Sequence, residues 1–359
     1  MSLYDVNGNT IAQDGVTSEQ VKTALMGAIA DGSVNLGSAV GATLAYNNLP
    51  AAWLTNANAA YAALLAKYKA LANGAIPFFV STDQHGRGVE QHRWANNADA
   101  DGMEFANINL GDTVQDYFNY AELDSMLART KQVKNYISIT GNHDALYRGN
   151  DVPTIYDLTK YFISTKERTV IPKVNSSYTV YDRAHDVKFV VGDSYSSVGT
   201  VLNGLGNSEL TGDFADWLIA ELGRDDCDIV YLQHWQLYAE ASVYKRRDGT
   251  PDTNAVGGSP TLRNLITARR NKSSGSVTDS VGTAHAYDFS GCKHNLLCAL
   301  HGHEHDEVYA TLDNLLCYAA DWYGNNKSCV FGLIDRAGGK LWIWKFSAES
   351  VADTLELSL

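Results

Sequence analysis

Five short apolar stretches of this chain each stop at a turn carrying Asp, Asn or His, and that recurrence constrains the fold more than any other feature. Ile76–Ser81 runs into Thr82-Asp83-Gln84-His85, and Phe105–Leu110 into Gly111-Asp112. Ile137–Thr140 runs into Gly141-Asn142-His143-Asp144, Asp228–Leu232 into Gln233-His234, and Asn295–Leu300 into His301-Gly302-His303-Glu304-His305. The first of these stretches, Ile76–Ser81, is almost wholly apolar, as a central position in a sheet demands. Helical spacing between them, in Glu122–Lys134 and Asp213–Leu222, completes an α/β pattern. In an open α/β sheet, ligands bind just outside the carboxyl ends of the strands. Taken alone, Asn142-His143-Asp144 could be an ordinary turn closed by an Asx side chain. Five strand ends with the same chemistry are harder to account for that way. Alternation along an extended backbone would aim Asp83 and His85 to one side, and His303 and His305 likewise.

Composition narrows the class. The 359 residues suffice for one large domain with an appendage, or for two domains. Hydrophobic residues make up 45% and charged residues 19%, which excludes wholesale disorder. A net charge of −13 repels nucleic acid and anionic membranes and disfavours nucleic acid as a partner. It leaves a phosphate substrate open, because bound divalent cations dominate the field inside a site. The five cysteines (Cys227, Cys292, Cys298, Cys317, Cys329) form no C-x-x-C and read as reduced and mostly buried. The amino terminus has neither the basic start nor the apolar core of a signal peptide. No apolar run reaches the roughly 20 residues of a membrane span. The expected location is therefore cytoplasmic or within an assembly.

Residues 1–75 differ in character from the rest of the chain. Tyr4–Gln13 reads as a hairpin around Asn7-Gly8, Val21–Ile29 as a helix capped by Thr17 or Ser18, and Ala51–Ala72 as an Ala-rich helix. This segment carries no polar constellation. It reads as a small helical extension that packs on the main domain or serves in attachment or oligomerisation. Residues 76–359 form the main domain. Within it, the stretch from Ala145 to about Asp186 includes an expected helix over Ile155–Ile163. Residues 240–290, rich in Gly, Ser, Thr and Arg, read as a loop-dominated insertion near the site, with Arg269-Arg270 on a solvated face. Asn314–Ala319, Ser328–Ile334 and Lys340–Phe346 alternate like antiparallel strands, the last two joined at Gly338-Gly339.

The series D-x-H, G-D, G-N-H-D, a lone His after a strand, and G-H-x-H, in this order over about residues 75–350, resembles the calcineurin-like metallophosphoesterases. The resemblance implies a two-layer β-sandwich flanked by helices around a dinuclear metal centre. It implies Asp83, His85 and His305 on one metal, Asn142, His234 and His303 on the other, and Asp112 bridging them. A mixed oxygen and imidazole set without thiolates suits Mn, Fe, Zn or Ni. Two such cations about 3.5–4 Å apart can hold a bridging hydroxide and receive the charge that develops in an in-line displacement at phosphorus. The implied reaction is hydrolysis of a phosphomonoester or phosphodiester, with His143 assisting the leaving oxygen. Asp144 could accept a hydrogen bond from His143 and raise its basicity.

Arg87 and Arg93, which follow the first motif with His92 between them, are candidates to clamp a substrate phosphate. Gln115 stands where many family members have an acidic residue, with Asp116 one position on. Gln115 and His85 together argue against the tyrosinate-ligated purple acid branch. His301 and Glu304 flank ligand positions and could be structural or functional, and Trp235 reads as core. The alternative reading is a structural or attachment protein, such as part of a phage particle or surface assembly, that uses a metallophosphoesterase-like domain for binding.

Overall fold

The computed structural model describes residues 3–4, 10–12, 49–71, 75–87, 91–92, 94–95, 103, 105–113, 133, 135–144, 168–172, 177–192, 210, 212–238, 241–252, 258–324 and 327–359. The chain divides into two compact units, Met1–Leu49 and Pro50–Leu359. In the first, β1 (Leu3–Tyr4) pairs antiparallel with β2 (Thr10–Ala12), Leu3 opposite Ala12. The Asn7-Gly8 turn and the helix expected over Val21–Ile29 lie outside the described residues.

The second unit opens with α1 (Ala51–Ala70), which follows Pro50 and carries Lys67 and Lys69 in its last turn, where cations complement the helix dipole. Its buried stripe, Trp53, Ala57, Ala60 and Leu64, has helical spacing. The Trp53 indole N–H donates to the Lys327 carbonyl at 2.7 Å, and its ring packs 5.2 Å from Phe346. Tyr61 packs against Phe105 and Phe331.

Two large sheets make up the rest of this unit. The six-stranded sheet has the order β18 (Leu355–Ser358), β17 (Lys340–Phe346), β16 (Cys329–Asp335), β3 (Ile76–Ser81), β4 (Ala106–Asn109), β5 (Tyr136–Ser138). Here β3, β4 and β5 run parallel, and β16 returns antiparallel on β3. The eight-stranded sheet has the order β10 (Lys245–Arg246), β14 (Val308–Leu312), β15 (Leu315–Ala319), β13 (Leu296–His301), β9 (Asp228–Leu232), β8 (Val187–Val191), β7 (Tyr178–Asp182), β6 (Arg168–Pro172). Its central strands β8, β9, β13 and β15 are parallel.

One core lies between the sheets: Phe78, Val80, Ile108 and Ile137 from the first meet Val180, Phe189, Val230 and Leu300 from the second. The alternate residues face outward. Phe79 and Phe331 pack in the aromatic cluster that reaches α1 through Tyr61. Val190, Ile229, Tyr231 and Ala299 pack with α2 (Gly212–Gly223) and α3 (Pro260–Arg270). The result is the expected two-sheet sandwich flanked by helices. No helix among the described residues is long and apolar enough to cross a membrane. All five cysteines are free, and four of them are buried.

Several expectations are corrected. Residues 240–290 are not loop-dominated: α3 is capped by the Ser259 hydroxyl, which accepts from Leu262 N, and a hairpin pairs β11 (Ser274–Thr278) with β12 (Ala284–Asp288). The polar composition reflects elements with only one buried face, Leu262, Leu265 and Ile266 on α3 and Val277 on the hairpin. Nor are Arg269 and Arg270 a solvated face. Arg269 is fully buried, donating to the Leu222 and His294 carbonyls, while Arg270 donates to those of Asn314 and Leu296. Both satisfy carbonyls left over at the ends of elements. Part of the 145–186 stretch is sheet, since β6 and β7 extend the large sheet antiparallel. The helices expected over Ile155–Ile163 and Glu122–Lys134 fall on residues that, apart from Val133, lie outside the described set. Finally, β15 pairs antiparallel with β14 but parallel with β13, so its carboxyl end joins those of the central strands.

His285 ties the hairpin to α2. Its Nδ1 is 2.7 Å from Asp216 Oδ1 and its Nε2 is 3.1 Å from Asp279 Oδ2. Hydrogen bonds donated to the Asp279 and Asp216 carboxylates raise its pKa. A raised folded value means that this contribution is complete below the unfolded histidine value and is lost as pH rises through the folded value. The urea-unfolding difference between the wild type and His285→Gln should therefore be largest near about pH 5.5 and shrink toward about pH 9. A difference that grows with pH would contradict the assignment.

Candidate metal centre

The turns after β3, β4 and β5 lie at one end of the six-stranded sheet, and those after β9 and β13 at one end of the eight-stranded sheet. Backbone hydrogen bonds clasp them side by side. Asp83 N donates to Gly111 O at 3.0 Å, His85 N to Asp112 O at 2.9 Å, and Gly302 N to His234 O at 2.9 Å. The residues do not alternate along extended backbone as the sequence suggests. Asp83 (φ 52°), His85 (φ 46°), Asp112 (φ 52°), His303 (φ 74°) and His305 (φ 59°) are all left-handed. That conformation costs roughly 1–3 kcal/mol for a residue with a β-carbon and persists where the surroundings over-determine it. Here the tight turn is what aims two side chains from one strand end into the same small volume.

Glycines permit the close approach. Gly111 (φ 104°) has no β-carbon to meet the His234 ring, which would lie 2.5 Å away at Nδ1. A β-carbon on Gly141 would collide with the Asp112 carboxylate.

The side chains converge across the two sheets. Asp83, His85 and His305 form one group whose ligand atoms all lie within 4.8 Å of one another. His85, Asp112 and His143 form a second, and Asp112, His234 and His303 a third. Asn142 joins the third, its Oδ1 being 2.9 Å from His303 Nδ1 and 3.1 Å from His234 Nε2. Asp112 Oδ2 is 3.4 Å from His234 Nε2, and Asp83 Oδ1 is 3.2 Å from His305 Nε2. Bonds that cross between the sheets include His234 Nδ1 to Leu110 O at 2.7 Å and His303 N to Asp83 Oδ2 at 3.0 Å.

This donor set fits a cation. The Leu110 carbonyl can only accept, so one His234 proton sits on Nδ1 and the ring, once a cation displaces the second proton, presents the Nε2 lone pair. That lone pair faces Asn142 Oδ1, Asp112 Oδ2 and, at 3.2 Å, His303 Nδ1. Lone pairs gathered so closely repel unless a proton or a metal ion stands among them. Burial would lower the His234 pKa, but the Asp112 carboxylate outweighs it and holds the ring up at about 9. His303, buried beside it, is pushed down to about 4. Burial raises the Asp83 carboxyl, yet His305 and His234 bring its net pKa below the usual range. Asp112 is likewise lowered, with His234 overcoming burial. His85 Nδ1 is buried with no hydrogen-bond partner among the described residues. Clustered Asp and His residues of this kind could bind metal ions.

The remaining candidates separate. His143 packs edge-on against His85 at 4.5 Å, with its side chain 26% exposed and its Nε2 4.0 Å from Asp112 Oδ2. Its backbone amide donates to Asp112 Oδ1 at 2.8 Å. Asp144 accepts Thr113 N at 2.7 Å on one carboxylate oxygen and Gly141 N at 3.0 Å on the other, which ties the turn after β4 to the turn after β5. Arg87 is exposed at the end of its turn, and Arg93 lies outside the described residues, as do Gln115 and Asp116. His301 is fully buried and held down to about 3 by desolvation, as is His92, which bonds Ser81 Oγ at 2.6 Å. Trp235 is buried as expected, and its ring also backs His234 at 5.1 Å and His303 at 5.9 Å.

Sequence reasoning missed two neighbours. Thr82 Oγ1 donates to Asp83 Oδ2 at 2.6 Å, and Trp322 stacks 4.7 Å from His305. The parallel pairing of β15 with β13 is the signal that would have placed Trp322, just beyond β15, at the same edge.

Gly141→Ala should displace the Asp112 carboxylate while sparing the core. Metal content by mass spectrometry should fall while the circular dichroism of the sheets is unchanged. Full metal content in this variant would show that Asp112 is not part of the binding set.

No family model and no curated protein matches the chain. Among solved structures, a predicted phosphoesterase from Streptococcus pneumoniae TIGR4 aligns over 80% of this chain and 100% of its own, at 10% identity and a TM-score of 0.34. A putative 5'-nucleotidase from Staphylococcus aureus aligns over 79% of this chain and 54% of its own, at 13% identity and a TM-score of 0.45. GAP50, the anchor in the inner membrane complex of Plasmodium, aligns over 80% of this chain and 90% of its own, at 9% identity and a TM-score of 0.45.

Proposed function

We propose that the chain is a dinuclear-metal phosphoesterase of the calcineurin-like type, hydrolysing a phosphomonoester or phosphodiester. The observation that carries this reading is the sharing of residues between the candidate ligand groups, with Asp112 in two of them and His85 in two. A single-metal site needs one group. Overlapping groups that share a carboxylate suit two ions bridged by it. Asp83, His85 and His305 would hold one ion, Asn142, His234 and His303 the other, and Asp112 both. When bound, such ions activate water and draw the charge that develops on the phosphoryl oxygens.

The protein's own groups do the rest. Asp83 and Asp112, nearly inaccessible to solvent, supply negative charge that keeps cations at the seam between the sheets. The His143 side chain is partly open to solvent and keeps its Nε2 near the buried Asp112 carboxylate, so a proton on that nitrogen can pass to the departing alkoxide. Asp144, by clamping the turns after β4 and β5, keeps Asp112 and Asn142 in place, and a hydrogen bond to His143 would add to its basicity. Arg87, exposed beside the first turn, would meet substrate phosphate from the solvent side. A role limited to binding or attachment gives no reason for a His143 placed in this way.

Protein purified without chelator should carry about two metal ions per chain and hydrolyse p-nitrophenyl phosphate or its bis ester. His143→Ala should lower turnover by about 100-fold or more with metal content unchanged, as loss of a general acid does. Asp112→Asn should reduce both ions together, whereas His85→Ala should reduce mainly one. No metal retained under any loading condition would sink the proposal.

A further inference from the structure

Trp322 is one of three large hydrophobic residues exposed among those described, at 36%, and it stands beside the candidate centre. A single exposed tryptophan is ordinary on a protein surface. This one is held in place. Ala320 N donates to His301 O at 3.0 Å just before it, and Tyr323 N donates to Thr82 O at 3.1 Å just after it. Asp321 is paired with Lys345 at 2.6 Å. The bonds to His301 and Thr82 anchor it to the same turns that carry His303 and Asp83.

Its ring lies 4.7 Å from the His305 imidazole with 25° between the planes, and 6.2 Å from His85. His85 in turn lies 4.5 Å from His143. His305, whose side chain is 40% exposed, keeps its Nε2 against Asp83. An organic group attached to a phosphorus held among Asp83, His85 and His305 therefore has a fixed indole within reach. Fixed aromatic surface costs little further conformational entropy on binding, and aromatic pairs gain more than their buried area alone supplies.

We propose that Trp322, with the exposed part of His305, forms a subsite for a planar aromatic group on the phosphorus ligand, so that the chain selects aryl or heteroaryl phosphate esters over small alkyl ones. The proposal rests on reading the centre as a phosphate-ester site, and non-hydrolysable ligands test it separately from that reading. The experiment is titration calorimetry of the full-length, metal-loaded chain with phenylphosphonate and with methylphosphonate.

The wild type should bind phenylphosphonate about 5-fold more tightly, the scale of one aromatic pair. Trp322→Ala should lose that preference while keeping its metal content and its affinity for methylphosphonate. Trp322→Phe should retain part of it. Equal affinities in the wild type, no binding of either phosphonate, or a preference that survives Trp322→Ala would each overturn the subsite. So would a parallel loss of metal and of methylphosphonate affinity in Trp322→Ala, which would make Trp322 a positioning residue for His305. A wild type that selects phenylphosphonate through Trp322 yet hydrolyses no ester would leave the subsite standing and remove the esterase. Hydrolysis without aryl preference would do the reverse.

Discussion

Negative charge buried at the seam of two sheets is the constraint on which the rest of this structure depends. Asp83 and Asp112 are almost wholly removed from water, and a carboxylate there persists only with cationic or hydrogen-bonded partners close by. The fold supplies them from both sides. Asp83 accepts Thr82 Oγ1 and His303 N, and Asp112 accepts His143 N while facing His234. Because Thr82 and His143 lie on one sheet and His303 and His234 on the other, satisfying these carboxylates also sets how the edges of the sheets meet.

The cost of that arrangement shows in the backbone. Left-handed conformations gather at Asp83, His85, Asp112, His303 and His305, residues that would relax to ordinary turns if nothing held them. What holds them is a lattice of bonds between turns: Asp83 N to Gly111 O, His85 N to Asp112 O, and the two oxygens of Asp144 on Thr113 N and Gly141 N. Such rigidity would suit the proposed metal site, since ligand atoms already in place need no reorganisation to receive an ion. The core between the sheets, from Phe78 and Val80 to Phe189 and Val230, gives this rim its foundation.

Much of the architecture was legible along the chain. Largely apolar runs such as Ile76–Ser81 and Asn295–Leu300 announced buried strands, and their polar ends announced where chemistry gathers. Other features were misread for identifiable reasons. Residues 240–290 looked like loop because α3 and the β11–β12 hairpin bury one face only, which dilutes the apolar signal. Arg269 looked like a surface cation because sequence does not show that the carbonyls of Leu222 and His294 need a donor at that point. A further role of Asp144 was hidden and not misread, since only the fold shows that its two oxygens bridge the turns after β4 and β5.

Local pattern thus determined which segments are strands and which turns carry Asp, Asn and His, while the expectation of two sheets with flanking helices came from the resemblance that those motifs carry. Strand period and turn chemistry act over a few residues, and a few residues suffice to read them. Tertiary structure alone decided which strands are neighbours and in what direction they run. The parallel pairing of β15 with β13 brings Trp322 to the rim beside His305, and the meeting of the two sheet edges brings Asp112 to His234. Those outcomes depend on contacts between residues far apart in the chain, whose energies belong to the packed sandwich and to no single segment.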